Sequence, residues 1–399
     1  MLQGDPQVIF AMHETKSQSG AIVVIVLGTI APALFLLAPI VVGGLVEERG
    51  MTAQTAGYVI AAELTGMAVA IIPAAGWLDR LDWRVTARLS LAMLCVGNLV
   101  TGVTQNFPLI IAERLLTGLA AGTVSAICAA SLAHRPNPGR WYGILVTTQV
   151  LFGGLGMWVL PHLISRYGLR AAFFFLAASA FLLLFLTPFL QRGADAPAGY
   201  ATVSSGSKIA TAFVVPAVFL YFVGVNGVWI YLDRLGVQLG LSFVAVGDIL
   251  AFSSLFAVLG AICAAAAAER VSAAVNCALG LFATICSLVW SLYVHGERDY
   301  RLFICAFAFA WSYSWPYMLA VPAKIDPGGR LALKANAAIW AGLAAGPVAA
   351  ARLYTLHPGV HGTIVVATAC VSSALVLISV PEFTQGHAKF KLGVNTWSI

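Results

Sequence analysis

Long apolar segments, separated by short polar gaps, run through most of the chain. A helix that crosses a bilayer needs about twenty mainly apolar residues. On that criterion the sequence predicts twelve spanning helices, at residues 21–43, 55–77, 86–105, 108–132, 141–163, 171–190, 209–232, 243–266, 273–294, 300–322, 333–354 and 362–381. We therefore expect an all-α polytopic membrane protein, with a kink at Pro316 in the tenth helix.

The longest internal polar gap divides this pattern into two halves. Residues 191–208 are rich in Gly, Ala and Ser and contain Pro197, a composition typical of a flexible linker. The predicted organisation is an N-terminal segment, a six-helix bundle, the linker, a second six-helix bundle and a tail, at residues 1–20, 21–190, 191–208, 209–381 and 382–399.

An internal repeat relates the two halves. A shift of 190 residues aligns three pairs of positions, namely Gly57 with Gly247, Asp79-Arg80 with Glu269-Arg270, and Gly139-Arg140 with Gly329-Arg330. All three pairs fall at corresponding points of the two halves. We therefore expect two pseudo-symmetric bundles, related as in parallel-repeat transporters.

Composition and charge define the class and the orientation of the chain. Only 10% of the 399 residues are charged, whereas a soluble domain has about a quarter. Fourteen of the 22 Lys and Arg residues lie in segments that are cytoplasmic if the N-terminus is inside, and seven lie in outer segments. The positive-inside rule then predicts a multi-pass protein of the cytoplasmic (inner) membrane with both termini cytoplasmic. The net charge of +6 suits basic loops and gives no reason to expect a nucleic-acid partner.

The polar loop at residues 75–84 carries a family resemblance. Its Asp79-Arg80 pair and Arg84 match the pattern G-x-x-x-D-R-x-G-R-R between helices 2 and 3 of the major facilitator superfamily, while Ala75 and Asp82 stand at its two Gly positions. Further similar segments are Arg114-x-x-x-Gly118-x-x-x-Gly122, Tyr167 to Phe173, and Gly329-Arg330 followed by Gly342-x-x-x-Gly346-Pro347. The Gly-Pro of the family's exporter signature is replaced by Gly153-Gly154, which argues against a drug antiporter.

The resemblance implies two six-helix bundles around a central cavity and secondary active transport of a small organic solute by alternating access. It also implies a gating role for Asp79, Arg80 and Arg84. We expect Asp79 to cap the cytoplasmic start of the eleventh predicted helix, near Arg330 and Lys334.

Glu63 is the first candidate for proton coupling. It lies roughly 12–15 Å along the second predicted helix, near the bilayer midplane, where an ionised carboxylate is costly. A carboxyl group there either exchanges a proton as access alternates or stays paired with an Arg as a structural element. We favour the transport role, with Glu113 and Asp248 as further proton-coupling candidates.

Arg114 is the basic residue that the pattern places well inside a helix. A guanidinium there needs a carboxylate, a carbonyl oxygen or a substrate anion. The sequence leaves open whether Arg114 binds an anionic solute or pairs with Glu63. At the end of the seventh helix, the neighbours Asp233 and Arg234 are typical of an interfacial ion pair or an outer gate.

Aromatic and amide side chains are frequent in the second half, and they suit a cavity for a ring-bearing or amphipathic solute. Lipid packing and the interfacial aromatic belt are the alternative explanation for many of them. The predicted solute-binding set, together with Arg114, is Gln149, Tyr221, Asn226, Trp229, Trp311, Trp315, Asn336 and Trp340.

Motifs for other functions are missing from the sequence. It contains no phosphate-binding loop of the form G-x-x-x-x-G-K-[ST], no H-E-x-x-H and no Cys-His cluster. We therefore expect no cofactor, no metal and no enzymatic activity, although a membrane-embedded enzyme and a channel are the rival classes. The expected function is proton-coupled symport of an aromatic or anionic solute by a monomer, with proton/solute antiport of amphipathic compounds as the alternative.

Overall fold

The structure, a computed structural model, describes residues 20–133, 135, 137–190, 208–326, 330–356 and 359–393, and of residues 208 and 381–393 it describes the backbone only. Throughout these ranges the regular structure is helical and contains no strand. The predicted all-α class is therefore confirmed. The predicted linker apart from residue 208, the predicted N-terminal segment apart from residue 20, and residues 394–399 lie outside the described residues. The backbone of residues 382–393, predicted as the start of the tail, continues α17.

Seventeen helices occur in the part of the chain that the structure describes. They are α1 Gly20–Ile30, α2 Ala33–Leu36, α3 Ala38–Arg49, α4 Ala53–Ile71, α5 Ala74–Trp77, α6 Trp83–Val103, α7 Phe107–Ala133, α8 Pro138–Tyr167, α9 Leu169–Leu184, α10 Lys208–Trp229, α11 Leu232–Gln238, α12 Phe243–Ala268, α13 Ala273–Ser291, α14 Glu297–Ser314, α15 Tyr317–Ile325, α16 Arg330–Leu356 and α17 His361–Gly393. Short 3₁₀ turns lie at Leu78–Arg80 and Thr187–Phe189.

These helices account for the twelve predicted spans. Ten helices, counting α14 and α15 together, are long and apolar enough to cross a membrane within the described ranges, and α1 and α9 are shorter apolar helices. Large apolar side chains are exposed on their outer faces, such as Leu89 (67% exposed), Leu182 (64%) and Ile262 (58%). Apolar surface of this extent is suited to lipid contact, so the predicted polytopic class is confirmed.

Three of the predicted spans are interrupted beside a proline. The segment 21–43 is divided into α1, α2 and α3, with the first break beside Pro32. The segment 55–77 is divided at Pro73, and the kink predicted at Pro316 separates α14 from α15. Proline lacks an N–H donor and its ring clashes with the preceding turn, which interrupts the helical hydrogen bonds.

The described residues fall into two compact units. The first contains those of Met1–Ala38 and Ala62–Gly199, and the second contains those of Pro39–Ala61 and Tyr200–Ile399. In the first unit α6 packs against α7 and α9, and in the second α10 packs against α16 and α17. The segment 39–61, which spans α3 and the start of α4, thus belongs by its contacts to the second unit.

Positions that are 190 residues apart also share local backbone structure. Gly50 and Gly240 both have positive φ, at 62° and 84°, a conformation that other residues rarely adopt. Two residues later, the hydroxyl oxygens of Thr52 and Ser242 accept backbone hydrogen bonds at the starts of α4 and α12. The repeated sequence therefore specifies the same turn and helix start in each half.

Candidate functional site

Glycines hold α4 and α7 in close contact. A Cβ atom on Gly118 would overlap the backbone carbonyl oxygen of Glu63, and one on Gly66 would overlap the carbonyl oxygen of Leu115. One turn further along α7, a Cβ on Gly122 would lie 2.7 Å from backbone atoms of α4. This is the small-residue packing that lets two membrane helices approach closely. It places the side chains of Glu63 and Arg114 next to each other.

Arg114 is the centre of a buried ion cluster in the first unit. Its Nη1 donates to Glu63 Oε2 at 2.9 Å and to Asn98 Oδ1 at 3.2 Å. Its Nε and Nη2 donate to the two carboxylate oxygens of Glu113, both at 2.8 Å. Arg114 is 1% exposed and Glu63 is 2% exposed. The structure therefore brings together Glu63, Glu113 and Arg114, and the pair of Arg114 with Glu63 is one of the two alternatives that the sequence left open.

Two residues of this cluster were not found from the sequence. Asn98 accepts from Arg114, and the Thr101 hydroxyl donates to Glu113 Oε2. Asn98, like Asn226, is an amide in the middle of an apolar span, and this pattern is sufficient to identify it as a candidate. A lone Thr gives no comparable signal, because its hydroxyl usually bonds to its own helix backbone.

The cluster contains more acidic groups than basic groups. Two carboxylates, Glu63 and Glu113, face one guanidinium, so the ionised form has a formal charge of −1. The ring of Phe173 lies against the guanidinium, with Arg114 Cζ 5.5 Å from its centroid. A buried net charge is costly, and a proton on one carboxyl group removes it. The arrangement is therefore suited to binding and releasing one proton.

A small cavity of about 20 Å³ lies beside Glu63 and Asn98. Its other walls are apolar side chains from the first helices of the chain and from α6 and α9. A space of this size holds about one water molecule, which needs polar partners, and the carboxyl and amide groups provide them.

A second ion cluster lies in the second unit. Arg234 Nε donates to Asp233 Oδ2 at 2.6 Å, and its Nη1 donates to Glu47 Oε1 at 3.0 Å. Nearby, the Tyr231 hydroxyl donates to the Ala53 carbonyl oxygen at 2.8 Å. Asp233 and Arg234, predicted as gating residues, are thus bonded to each other and to the segment 39–61.

Aromatic side chains of α10, α14 and the residues that follow α14 form a continuous row. The ring centroids are 5.5 Å apart between Trp229 and Trp311, 5.6 Å between Trp311 and Trp315, and 4.6 Å between Trp315 and Phe222. Tyr221 contacts Phe222 at 5.1 Å and is fully buried. The three tryptophans are only half-buried, so part of each ring remains accessible.

The predicted amide residues have different surroundings. Asn226 is buried and donates to a backbone carbonyl of α16 at 2.6 Å, where Gly342 and Gly346 let α10 and α16 approach closely. Gln149 is half-buried and donates to a backbone carbonyl of α1 at 2.8 Å. Two further residues, half-buried on α16, are Asn336 and Trp340.

The loop at 75–84 is anchored by side chains of its own unit. Asp79 and Arg80 are exposed in the 3₁₀ turn, while Arg84 Nε donates to the Leu190 carbonyl oxygen at 2.5 Å. Asp82, which stands at a family Gly position, caps α6 by accepting backbone hydrogen bonds at its first turn.

Asp248, the other predicted proton-coupling residue, is exposed on α12.

Comparison with known proteins identifies the family. The model of the Major Facilitator Superfamily matches residues 23–351. The inward-open xylose transporter XylE from E. coli is 14% identical with a TM-score of 0.70 over 90% of this chain and 95% of its own. The human organic anion transporter MFSD10 is 18% identical with a TM-score of 0.64 over 91% and 99%.

The nucleoside transporter NupG has a TM-score of 0.70 at 11% identity, over 91% of this chain and 98% of its own. No match was found among curated proteins. The structural likeness at these identities supports the fold, and the family match covers most of the spans. The resemblance seen in the loop and in α7 is therefore confirmed. The chain belongs to the Major Facilitator Superfamily and is a multi-pass membrane transporter.

Proposed function

We propose that this transporter carries a small organic solute together with a proton. The observation that carries the proposal is the buried cluster of Glu63, Glu113 and Arg114, in which one cation faces two acids. Because the buried excess charge favours one bound proton, the cluster can load a proton in one state and release it in another. Glu63 is the proposed carrier, since Glu113 has both oxygens bonded to Arg114.

Solute coupling is proposed to act through Arg114. With Glu63 ionised, Arg114 is bonded to both acids and is 1% exposed. A proton on Glu63 weakens that bond, so that Nη1, which does not contact Glu113, can donate to an anionic group of the solute. Proton and solute then favour each other's binding, which is symport of an organic anion.

The experiment first needs a solute. A thermal-shift screen of the purified protein against organic acids, sugars, siderophores and cationic dyes provides candidates. In proteoliposomes, we expect a hit to exchange labelled for unlabelled solute and to accumulate under an imposed proton gradient. A protonophore should abolish accumulation and leave exchange unchanged. Accumulation that persists with the protonophore would show that another ion drives transport.

The aromatic row and Trp340 of α16 are proposed to contribute to the solute site. We expect Trp229→Ala and Trp340→Ala each to weaken solute binding by about 1–3 kcal/mol, because both rings are half-buried and large aromatic anchors have effects of this size. Titration calorimetry with the screened solute measures the change. Trp290→Ala is the matched control, since Trp290 is 39% exposed on α13. Normal affinity in both variants would assign the two rings to packing.

We further propose a location in the cytoplasmic membrane, with both termini inside and the protein acting as a monomer. The support for the orientation is the excess of Lys and Arg in the segments that this topology places inside. Fusions at the C-terminus test it, because a fluorescent protein folds on the cytoplasmic side and alkaline phosphatase is active on the outer side. Phosphatase activity at the C-terminus would contradict the topology.

A further inference from the structure

The cluster of Glu47, Asp233 and Arg234 repeats the chemistry of the first cluster. In both, an Arg bonds the carboxylate of the residue before it and a distant Glu. Two atoms of the second cluster, Asp233 Oδ1 and Arg234 Nη2, are buried and have no hydrogen-bond partner within the described residues. A buried carboxylate oxygen without a hydrogen-bond partner is costly. The ion pairs alone therefore do not satisfy Asp233.

The two acids of this cluster differ in exposure. Asp233 is fully buried, whereas the Glu47 side chain is 44% exposed. Water therefore stabilises the charge of Glu47 but does not reach Asp233. One guanidinium cannot balance the charges of both carboxylates. The charge on the buried Asp233 is the more unfavourable of the two, and a proton that binds its Oδ1 removes that charge.

Three phenols among the described residues also surround Asp233. Tyr231, Tyr300 and Tyr354 lie close enough to interact with Asp233 electrostatically. Tyr231 and Tyr300 donate their hydroxyl hydrogens to the backbone carbonyls of Ala53 and Leu232. Because these hydroxyl hydrogens are donated elsewhere, Asp233 is stabilised, among the described residues, by the cation of Arg234.

The cluster also holds the segment 39–61 on the second unit. Glu47 of this segment bonds Arg234, and the Ala53 carbonyl accepts from Tyr231. The segment is continuous at both ends with residues of the first unit. Any motion that detaches it must therefore break the bond between Glu47 and Arg234.

We infer that Asp233 is a second proton-binding site, and that its protonation strengthens the bond by which Arg234 holds the segment 39–61. When Asp233 is ionised, it competes with Glu47 for the guanidinium. When a proton from the water binds Oδ1, the full charge of Arg234 is available to Glu47. Low pH therefore favours the attached segment, and the proton is released when the segment detaches.

This inference concerns a site separate from Glu63 and does not require transport. Infrared difference spectra between high and low pH test proton binding directly, in a Glu63→Gln background that removes the first proton carrier. We expect a carboxylic-acid C=O band at low pH that disappears on adding Asp233→Asn and persists on adding Glu297→Gln. Glu297 is the matched control because it forms an exposed ion pair with Arg301. A band unaffected by Asp233→Asn would overturn the assignment of the proton.

Spin-label distances test the effect on the segment. Labels at Glu48 and Leu356, both exposed in the second unit, report its attachment in a cysteine-free background. In the parent protein we expect the attached fraction to rise as the pH falls from about 8 to 5, a range in which a buried carboxyl group can titrate. Asp233→Asn should remain attached at both pH values, since Asn resembles the protonated acid.

Glu47→Ala should detach the segment at both pH values, because it removes the acceptor to which Arg234 Nη1 donates. A pH response that survives Asp233→Asn, or a distance that does not change with pH in the parent protein, would overturn the inference. Neither result would bear on Glu63, whose role is measured by accumulation of solute. The two proposals can therefore fail independently.

Discussion

Glu63→Gln is expected to abolish accumulation of solute driven by a proton gradient while leaving exchange at equal concentrations intact. Gln keeps the shape of the side chain and can still accept the hydrogen bond from Arg114 Nη1, but it cannot bind and release a proton. It leaves Glu113 and Arg114 as a balanced pair, so the fold should be preserved. Uptake and counterflow in proteoliposomes measure the two activities separately.

The pH dependence of binding distinguishes the two modes of coupling. In symport, protonation of Glu63 favours the solute, so the affinity of the parent protein should increase as the pH falls. In antiport, a cationic solute replaces the proton, and the affinity should increase as the pH rises. In either mode Glu63→Gln should remove the dependence, and Glu297→Gln should not. Accumulation that persists in Glu63→Gln would make Glu63 structural and direct attention to Glu113 and Asp248.

Gly118→Ala is expected to destabilise the protein by about 1–3 kcal/mol or more, the usual cost of overpacking. The added Cβ overlaps the backbone of Glu63, which is not a flexible side chain that can move aside. Separation of α4 from α7 should also lengthen the bond between Glu63 and Arg114 and so reduce proton-driven uptake. Thermal unfolding in detergent measures the stability.

Gly143→Ala is the matched control for this change. Gly143 lies in α8, and a Cβ there would meet nothing within 4 Å. Ala in a helix interior is favoured over Gly by roughly 0.5–1 kcal/mol, so Gly143→Ala should be neutral or stabilising. If the two variants change the unfolding temperature equally, the close approach of α4 and α7 does not limit stability.

The spans could be predicted from the sequence because the bilayer imposes a length and a composition on each of them. The interruptions were harder to predict. Pro316 ends a helix, whereas Pro216 and Pro347 lie inside α10 and α16. Whether a proline breaks a membrane helix depends on what neighbouring segments offer to the freed carbonyl groups, and that is a property of the packed structure.

The candidate site was partly predictable for a similar reason. Glu63 and Arg114 were identified because ionisable groups in apolar spans need partners. Their pairing could only be offered as one of two alternatives. Asn98 and Thr101 complete the cluster from α6, and their contribution depends on how α6 faces α7.

By itself, the sequence determined the class, the repeat and the residues that cannot face lipid, since these follow from the local cost of placing polar groups in hydrocarbon. Tertiary structure alone decided that Glu113 shares Arg114 with Glu63, and that Glu47 joins Asp233 and Arg234. Each cluster brings together residues distant in the chain through close contacts. Gly118 of α7 lies against the backbone of Glu63, and Gly43 of α3 lies against the side chain of Asp233. Such contacts depend on the packing of whole helices against one another, which no local pattern in the sequence specifies.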